Sequence, residues 1–424
     1  MAGGSETQVV GAELERVLPD FATLFDRDDT FYSQLDKKPV EVTSSRDMRI
    51  PLEIRTGGKS GYFSPDGSGL GRGDMPAFDK AVISSVNLRH AVEFTAKTMW
   101  STDSNRKAVM NAFRHNLATS TAEFRRYADS QAMTDGTGTL GTITTVATSG
   151  GVDTYTLTTD GFGVRLIRSG QDLNVFNSTL TTCRTAGGPG SETTVTFYDL
   201  ANKTIGVTPS VTGATAGDLI VSSGLQSTPP VGLFGVKYHD SNASTGTWLG
   251  FDRSQNPEIR ANRVNANGSA LTLPLPRLAI NKIGDRVGMK SRRRCFAWTH
   301  PAQAQAYEEL GFNAIRIDKA AKEEGLDLYF DDNMRIAGAP LKTSYSWDRT
   351  RIDFIDLDVY GRAELYPAGF YKNPDNNDRV WPTRDTVGGI ATSWIFYMVA
   401  GFNIFVNNPA ALSYIDTLAV PAGY

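Results

Sequence analysis

The feature that most restricts this chain is a run of glycines, Gly57, Gly58, Gly61, Gly67, Gly69, Gly71 and Gly73, set between two stretches that alternate apolar and polar residues. Upstream, Met48, Ile50, Leu52 and Ile54 alternate with Arg49, Pro51, Glu53 and Arg55, the period of two of a strand with one buried face. Pro51 has no backbone donor, which predicts an edge strand. Downstream the alternation resumes at Val82, Val86, Leu88, Val92 and Phe94. The pattern predicts one long β-hairpin with a glycine-rich tip. Ordering that many glycines is entropically expensive, so the tip is expected to be flexible until something outside the subunit holds it.

After Ser101 or Asp103, either of which can cap a helix, apolar residues fall at Val109, Met110, Phe113, Leu117, Phe124 and Ala128. This spacing predicts a long amphipathic helix ending before Asp135 and Gly136, packed on a sheet along a single stripe. From about Gly141 to Ser223 the composition turns to Thr, Gly, Val and Ser. Short apolar segments recur there at Tyr155 to Leu157, Val164 to Ile167, Thr194 to Phe197 and Leu219 to Val221, with turn signals between them. A small inserted all-β domain, barrel or sandwich, is expected. Beyond Pro229 and Pro230, helices are expected near Leu275 to Val287 and at Pro301 to Leu310. Strands are expected at Cys295 to Thr299, Arg351 to Leu357, Arg362 to Tyr366, Ile395 to Val399 and Asn403 to Val406. The fold class is therefore α+β, with a sheet assembled from distant pieces.

A chain of 424 residues has room for two or three folding units. Its 43 basic and 46 acidic residues give a net charge of -3 and form no long block of either sign, which argues against a dedicated nucleic-acid binder. The longest cationic run, Arg292, Arg293 and Arg294, reads as a solvated loop. Cys183 and Cys295 stand too far apart in sequence to suggest a disulfide framework or paired metal ligands, and such a chain suits a reducing cytoplasm. The N-terminus has no secretory pattern, and no apolar run approaches the roughly 20 residues of a membrane span.

Motifs that would carry chemistry are weak. Gly57, Gly58, Lys59 and Ser60 resemble the end of a phosphate-binding loop, but Glu53 stands where that loop needs its first glycine, and no helix signal follows. Arg72, Gly73 and Asp74 spell an adhesive tripeptide that arises easily in a glycine-rich turn. His90, His115, His239 and His300 are scattered without metal-ligand spacing, His90 on the predicted hairpin face and His300 before a helix. Asp356 and Asp358, with Asp331 and Asp332 upstream, match a solvated strand face better than a divalent-ion site. No nucleophile and base pairing stands out, so no catalytic residue, metal site or cofactor is expected.

Taken in order, these parts resemble the major capsid proteins of tailed bacteriophages with the Hong Kong 97-type fold. The resemblance rests on the stretch from Arg49 to Arg55 through Ser64-Pro65-Asp66-Gly67, and on Asn87 to Trp100 entering the helix. It rests also on Cys295 to Pro301 with the helix that follows, and on Asn407-Asn408-Pro409 and Pro421-Ala422-Gly423-Tyr424 near the end. It implies an N-terminal arm over 1–46, an extended loop and the start of a peripheral domain over 47–95, and a spine helix region over 96–140. The inserted β domain then occupies 141–224, a mainly axial domain 225–380, and returning peripheral strands 381–424.

The resemblance further implies assembly with itself as hexamers and pentamers into an icosahedral head, in the host cytoplasm and then in the virion. A separate scaffolding protein, a portal and a decoration protein become expected partners, with only non-specific contact to packaged double-stranded DNA and no membrane. Arg55, Lys59, Asp66, Arg72 and Asp74 become candidate contacts to a neighbouring subunit. Some relatives join a Lys and an Asn between subunits with help from a Glu. Lys59 lies in a suitable loop, but Glu364 is the last glutamate of the chain, so no crosslinking is expected. The alternatives are a phage tail or adhesin component and, third, a glycan-active enzyme.

Overall fold

A computed structural model describes residues 31–36, 38, 41–42, 47–55, 57–62, 73–95, 120–158, 162–185, 191–315, 334–372, 380–384 and 390–423. Two compact units emerge: one from Met1–Asp36, Val86–Leu233 and Glu364–Phe402, the other from Lys37–Ser85, Phe234–Ala363 and Asn403–Tyr424.

The second unit begins with a three-stranded sheet in the order β1 (Glu41–Val42), β2 (Asp47–Arg55) and β3 (Ala77–Ser84). β2 and β3 are the arms of the expected hairpin, in register from Asp47 opposite Ser84 to Arg55 opposite Ala77. β2 is thus the middle strand and not an edge. Among the described residues β1 pairs with Met48 and Arg49 and not with Pro51, which has no donor to offer it. The alternating run downstream is also two strands, not one. β3 ends at Ser84, and β4 (Val86–Thr95) joins a sheet of the first unit.

In the first unit β4 pairs along its whole length with a long strand near the C-terminus, from Val86 opposite Phe402 to Thr95 opposite Ser393. The helix α1, described over residues 120–132, ends ahead of Asp135 and Gly136, while Val109, Met110, Phe113 and Leu117 lie outside the described residues. Its last turns are buried all round, a departure from the single stripe. Asp129, Ser130 and Gln131 are each below 5% exposed, because Asp129 Oδ1 accepts from the Tyr32 amide at 3.2 Å and Gln131 Nε2 donates to Ser222 at 2.9 Å. Phe31, Tyr32 and Leu35 are buried as well, with Tyr32 4.8 Å from the Phe402 ring, so this part of the expected arm is anchored in its own chain.

After α1 comes a closed barrel: β5 (Thr139–Ser149), β6 (Val152–Leu157), β7 (Asp172–Phe176), β8 (Thr193–Asp199), β9 (Thr204–Thr208) and β10 (Leu219–Ser222), in spatial order β10-β5-β6-β9-β8-β7. Closure leaves no free edge. Its interior holds Leu140, Ile143, Tyr155, Leu157, Leu173, Val175, Ile205, Val207 and Ile220. The segment Val164 to Ile167 is not a strand but a 3-10 turn whose Val164 and Ile167 add to that interior. Two carboxylates are buried here: Asp153, satisfied by Thr148, Tyr155 and the Val211 amide, and Asp218, held by Arg184 at 2.6 Å.

Beyond the barrel the second unit resumes, with a small hairpin of β11 (Thr247–Trp248) and β12 (Phe251–Asp252). Its main sheet has six strands in the order β13 (Asn262–Asn265), β21 (Ser413–Asp416), β17 (Ile352–Asp356), β14 (Cys295–Thr299), β16 (Ala339–Thr343) and β15 (Arg335–Ile336). Pairing is parallel for β13 with β21 and for β14 with β16, and antiparallel elsewhere. This is the sheet of distant pieces expected from the sequence. Helix α2 (Pro274–Val287) lays Ala279, Ile280 and Ile283 on it, and α4 (Pro301–Ile315) starts where His300 Nδ1 accepts from the Ala302 amide at 3.0 Å.

Between these helices, Arg292, Arg293 and Arg294 form the end of a helix, α3 (Met289–Arg294), and not a loop. Arg294 accounts for the aspartates downstream: its guanidinium holds Asp356 at 2.9 Å and also Asp358. The strand segments near the C-terminus belong to β18 (Tyr360–Phe370), β19 (Val380–Arg384) and β20 (Ile390–Val406), the last being the long partner of β4.

Candidate functional site

The hairpin concentrates the exposed apolar surface. Its register places Arg49, Pro51 and Glu53 opposite Val82, Lys80 and Phe78, and all six side chains of this face are exposed. The other face is buried only at the base, by Met48, Ala81 and Ile83, while Ile50 and Leu52 are half-buried and Asp79 is exposed. Toward the tip, none of the described side chains on either face is buried.

At the tip the chain is closed by Gly58, whose amide donates to the Asp74 carbonyl at 2.9 Å and whose φ of +103° favours glycine. Beside it, a Cβ on Gly57 would meet the Pro76 nitrogen at 2.5 Å and the Asp74 carbonyl at 2.8 Å, both backbone atoms that cannot swing away. Gly57→Ala is therefore expected to spread the two ends of the loop at a cost of about 1–3 kcal/mol. Faster amide exchange at Gly58 would register the change; unchanged protection would refute the close approach.

Lys59 and Asp74, two of the expected contact residues, are both exposed at this tip. Arg55 ends β2 opposite Ala77, with its backbone in the ladder. Asp66 and Arg72 lie outside the described residues, and with Arg72 part of the Arg-Gly-Asp tripeptide. The sequence reading named only charges here and missed the apolar groups that dominate. Tyr62 is fully exposed, Met75 is 83% and Phe78 67% exposed. Large apolar groups standing so free on one element mark an interaction surface. A signal was available in Phe78, which falls in phase with Lys80 and Val82 and out of phase with Ala81 and Ile83.

The titratable groups elsewhere are built into the fold. His90 lies on β4, not on the hairpin, with its ring 6.3 Å from Phe124. Burial lowers its pKa, while Glu123 acts in the opposite direction. His239 is fully buried: one ring nitrogen, Nε2, lies 2.9 Å from the Ile404 carbonyl, and Nδ1 accepts from Trp248 Nε1 at 3.1 Å, which assigns the proton to Nε2. Burial brings its pKa down to about 3. Cys295 is buried with its thiol pushed up to about 12 by that burial, and donates to the Ser291 carbonyl. Among the described residues no three His, Cys, Asp or Glu side chains gather as a metal site.

A hairpin that outruns its core, a helix running into a closed barrel, and a six-stranded mixed sheet flanked by helices define an α+β architecture. The solved capsid asymmetric unit of cyanophage A-1(L) has the same fold: the match covers 91% of this chain and 90% of that one, with a TM-score of 0.52 at 10% sequence identity. The chain thus has the Hong Kong 97-type capsid fold that its sequence suggested, and at so low an identity the likeness concerns the fold alone. The capsid of a native GTA particle aligns over 92% of this chain and 90% of its own at 12% identity, but its TM-score of 0.44 adds no argument. No family model matches the sequence, and no curated protein matches it.

Proposed function

We propose that this chain is a major capsid protein, a structural subunit without catalytic activity that assembles with copies of itself, as pentamers and hexamers, into an icosahedral phage head. The observation that carries the reading is the exposed apolar surface of Tyr62, Met75 and Phe78 on a hairpin of a capsid-type fold. Such groups are stabilised when a second copy buries them, and ordering the glycine-rich loop draws on the same burial. Assembly driven this way is cooperative in subunit concentration. Lys59 and Asp74, of opposite sign at the tip, set register against the neighbour more than affinity.

The same reading makes a scaffolding protein, a portal and possible decoration proteins the partners, with packaged double-stranded DNA touched without sequence preference. The site of action is the virion shell, reached through the host cytoplasm. Residues 141–224, with the closed barrel, are proposed as an insertion into the shell fold.

The test is electron microscopy with sedimentation of the purified chain, alone and with the neighbouring phage genes co-expressed. Shells, or capsomers that close on co-expression, are expected. A persistent monomer or dimer under every condition refutes the reading. Phe78→Asp places an unpaired carboxylate where the partner would bury it, and is expected to abolish shells while leaving the melting temperature of the free subunit unchanged, because Phe78 is mostly solvent-exposed there. Normal shells from the variant would remove the hairpin from the interface.

A further inference from the structure

The second unit contains a cavity of about 440 Å3 between α2, α3, α4 and β15, lined among others by Arg277, Asn281, Arg292, Tyr307 and Arg335. Three arginines line it from three separate elements, Arg277 from α2, Arg292 from α3 and Arg335 from β15, with Arg277 and Arg335 exposed to solvent. Asn281 stands one helical turn beyond Arg277 and adds an amide on the same face. The Tyr307 hydroxyl donates to the Arg335 carbonyl at 3.1 Å, which fixes the tyrosine ring in the wall.

Several other arginines of the unit are engaged within the fold, Arg253, Arg260 and Arg286 by donating to backbone carbonyls. Arg263 holds one aspartate, and Arg294 and Arg351 hold two each. Among the described residues Arg277, Arg292 and Arg335 make no ion pair, and no carboxylate lines the cavity. Three like charges gathered in a concave site repel one another and lower the cost of bringing in an anion. Guanidinium forks match phosphate oxygens in pairs. A single carboxylate neutralises one of the three, whereas a chain of phosphates brings three or more charges spaced along a short rod. The volume falls within the range of small-ligand sites, about 300–1,000 Å3, and is too small to admit a duplex.

We propose that this cavity is a binding site for an oligophosphate anion, free or carried by a nucleoside, with Arg277, Arg292 and Arg335 as its ligands. The site is independent of the shell reading, since binding is measured on the unassembled chain.

Isothermal titration of the purified full-length subunit with inorganic tripolyphosphate, at about 0.15 M salt where loose surface attraction is screened, is expected to show saturable binding. Arg277→Gln and Arg335→Gln are each expected to weaken it about tenfold or more, while Arg293→Gln, on α3 but outside the cavity, leaves it unchanged. Because Arg277 and Arg335 make no ion pair among the described residues, both variants are expected to melt at the wild-type temperature without ligand, which separates lost binding from lost folding. Equal affinity for ATP supports the phosphates alone as the ligand; tighter binding of ATP supports the nucleoside-borne form. Absence of saturable binding, an equal loss in Arg293→Gln, or tighter binding of a short DNA duplex or a glutamate-rich peptide through the same arginines overturns the assignment.

Discussion

Arg351→Met is expected to destabilise the subunit by about 3–5 kcal/mol, the usual consequence of removing one partner from a buried ion pair. The arginine is 8% exposed and serves several groups at once. Its Nε donates to Asp353 Oδ1 at 2.6 Å, its Nη2 donates to the Asp240 carbonyl at 2.9 Å, and its guanidinium lies 4.0 Å from the centre of the Tyr414 ring. Methionine keeps much of the volume and none of the charge. Asp353, 1% exposed, would lose this charged donor and keep the Trp347 indole donor at 2.7 Å. A urea titration followed by tryptophan fluorescence checks the loss, since Trp347 stacks on Trp298 beside this cluster. Replacing Asp353 with Leu in the same background removes the stranded carboxylate and is expected to restore part of the stability. A single variant as stable as the wild type would show that the pair contributes nothing.

None of this cluster was legible in the sequence, and the reason is separation along the chain. Arg351 and Asp240 are 111 residues apart and meet only because β17 lies beside β21 and the Val236–His239 turn packs near them. The cavity arginines, from residues 277, 292 and 335, are hidden for the same reason. Local patterns did better. Glycines between alternating segments fixed the β2–β3 hairpin, and turn spacing announced a β-rich segment where the barrel closes. Where local reading failed, two faces or two kinds of group competed. β3 carries Val82 and Phe78 on one side and Ala81 and Ile83 on the other, so apolar alternation alone does not say which side is buried. α1 buries Asp129 and Gln131 because hydrogen-bond partners at Tyr32 and Ser222 await them, which no helical stripe reveals. Arg294 looked solvated until Asp356 and Asp358, some sixty residues on, were seen to meet it.

Asp240→Asn is expected to change how stability depends on pH, because only the wild-type acid carries a proton that it must lose as pH rises. Asp240 is fully buried, and neither of its carboxyl oxygens accepts a well-formed hydrogen bond. Arg351 Nη2 stands 3.4 Å from Oδ2, but it is already committed to Asp353 at its Nε. Burial first, and then the Asp353 charge, raise the Asp240 pKa well above its ordinary value of 3.8 despite Arg351. A raised acid binds more protons folded than unfolded, so its contribution is complete below the ordinary carboxyl pKa and is lost as pH rises toward the folded value.

The adjacent His239 works in the opposite sense. Its pKa falls from 6.5 to about 3 on burial, so stability it contributes is present above 6.5 and lost as pH falls through that window. As pH rises from about 4 the two neighbours therefore oppose each other, Asp240 losing stability while His239 restores it. An amide at position 240 keeps the size and neutrality of the protonated acid and has no proton to lose. The urea midpoint of the variant, minus that of the wild type, should then grow steadily as pH rises from about 4, because only the wild type loses stability to Asp240. Other carboxylates cancel in this difference. Asp348, which burial alone would raise, is instead held far below the usual range by Lys237, and it acts alike in both proteins. A difference that stays constant from pH 4 to pH 8 would mean that Asp240 is ionised in the folded chain, with Arg351 shared between two charged aspartates.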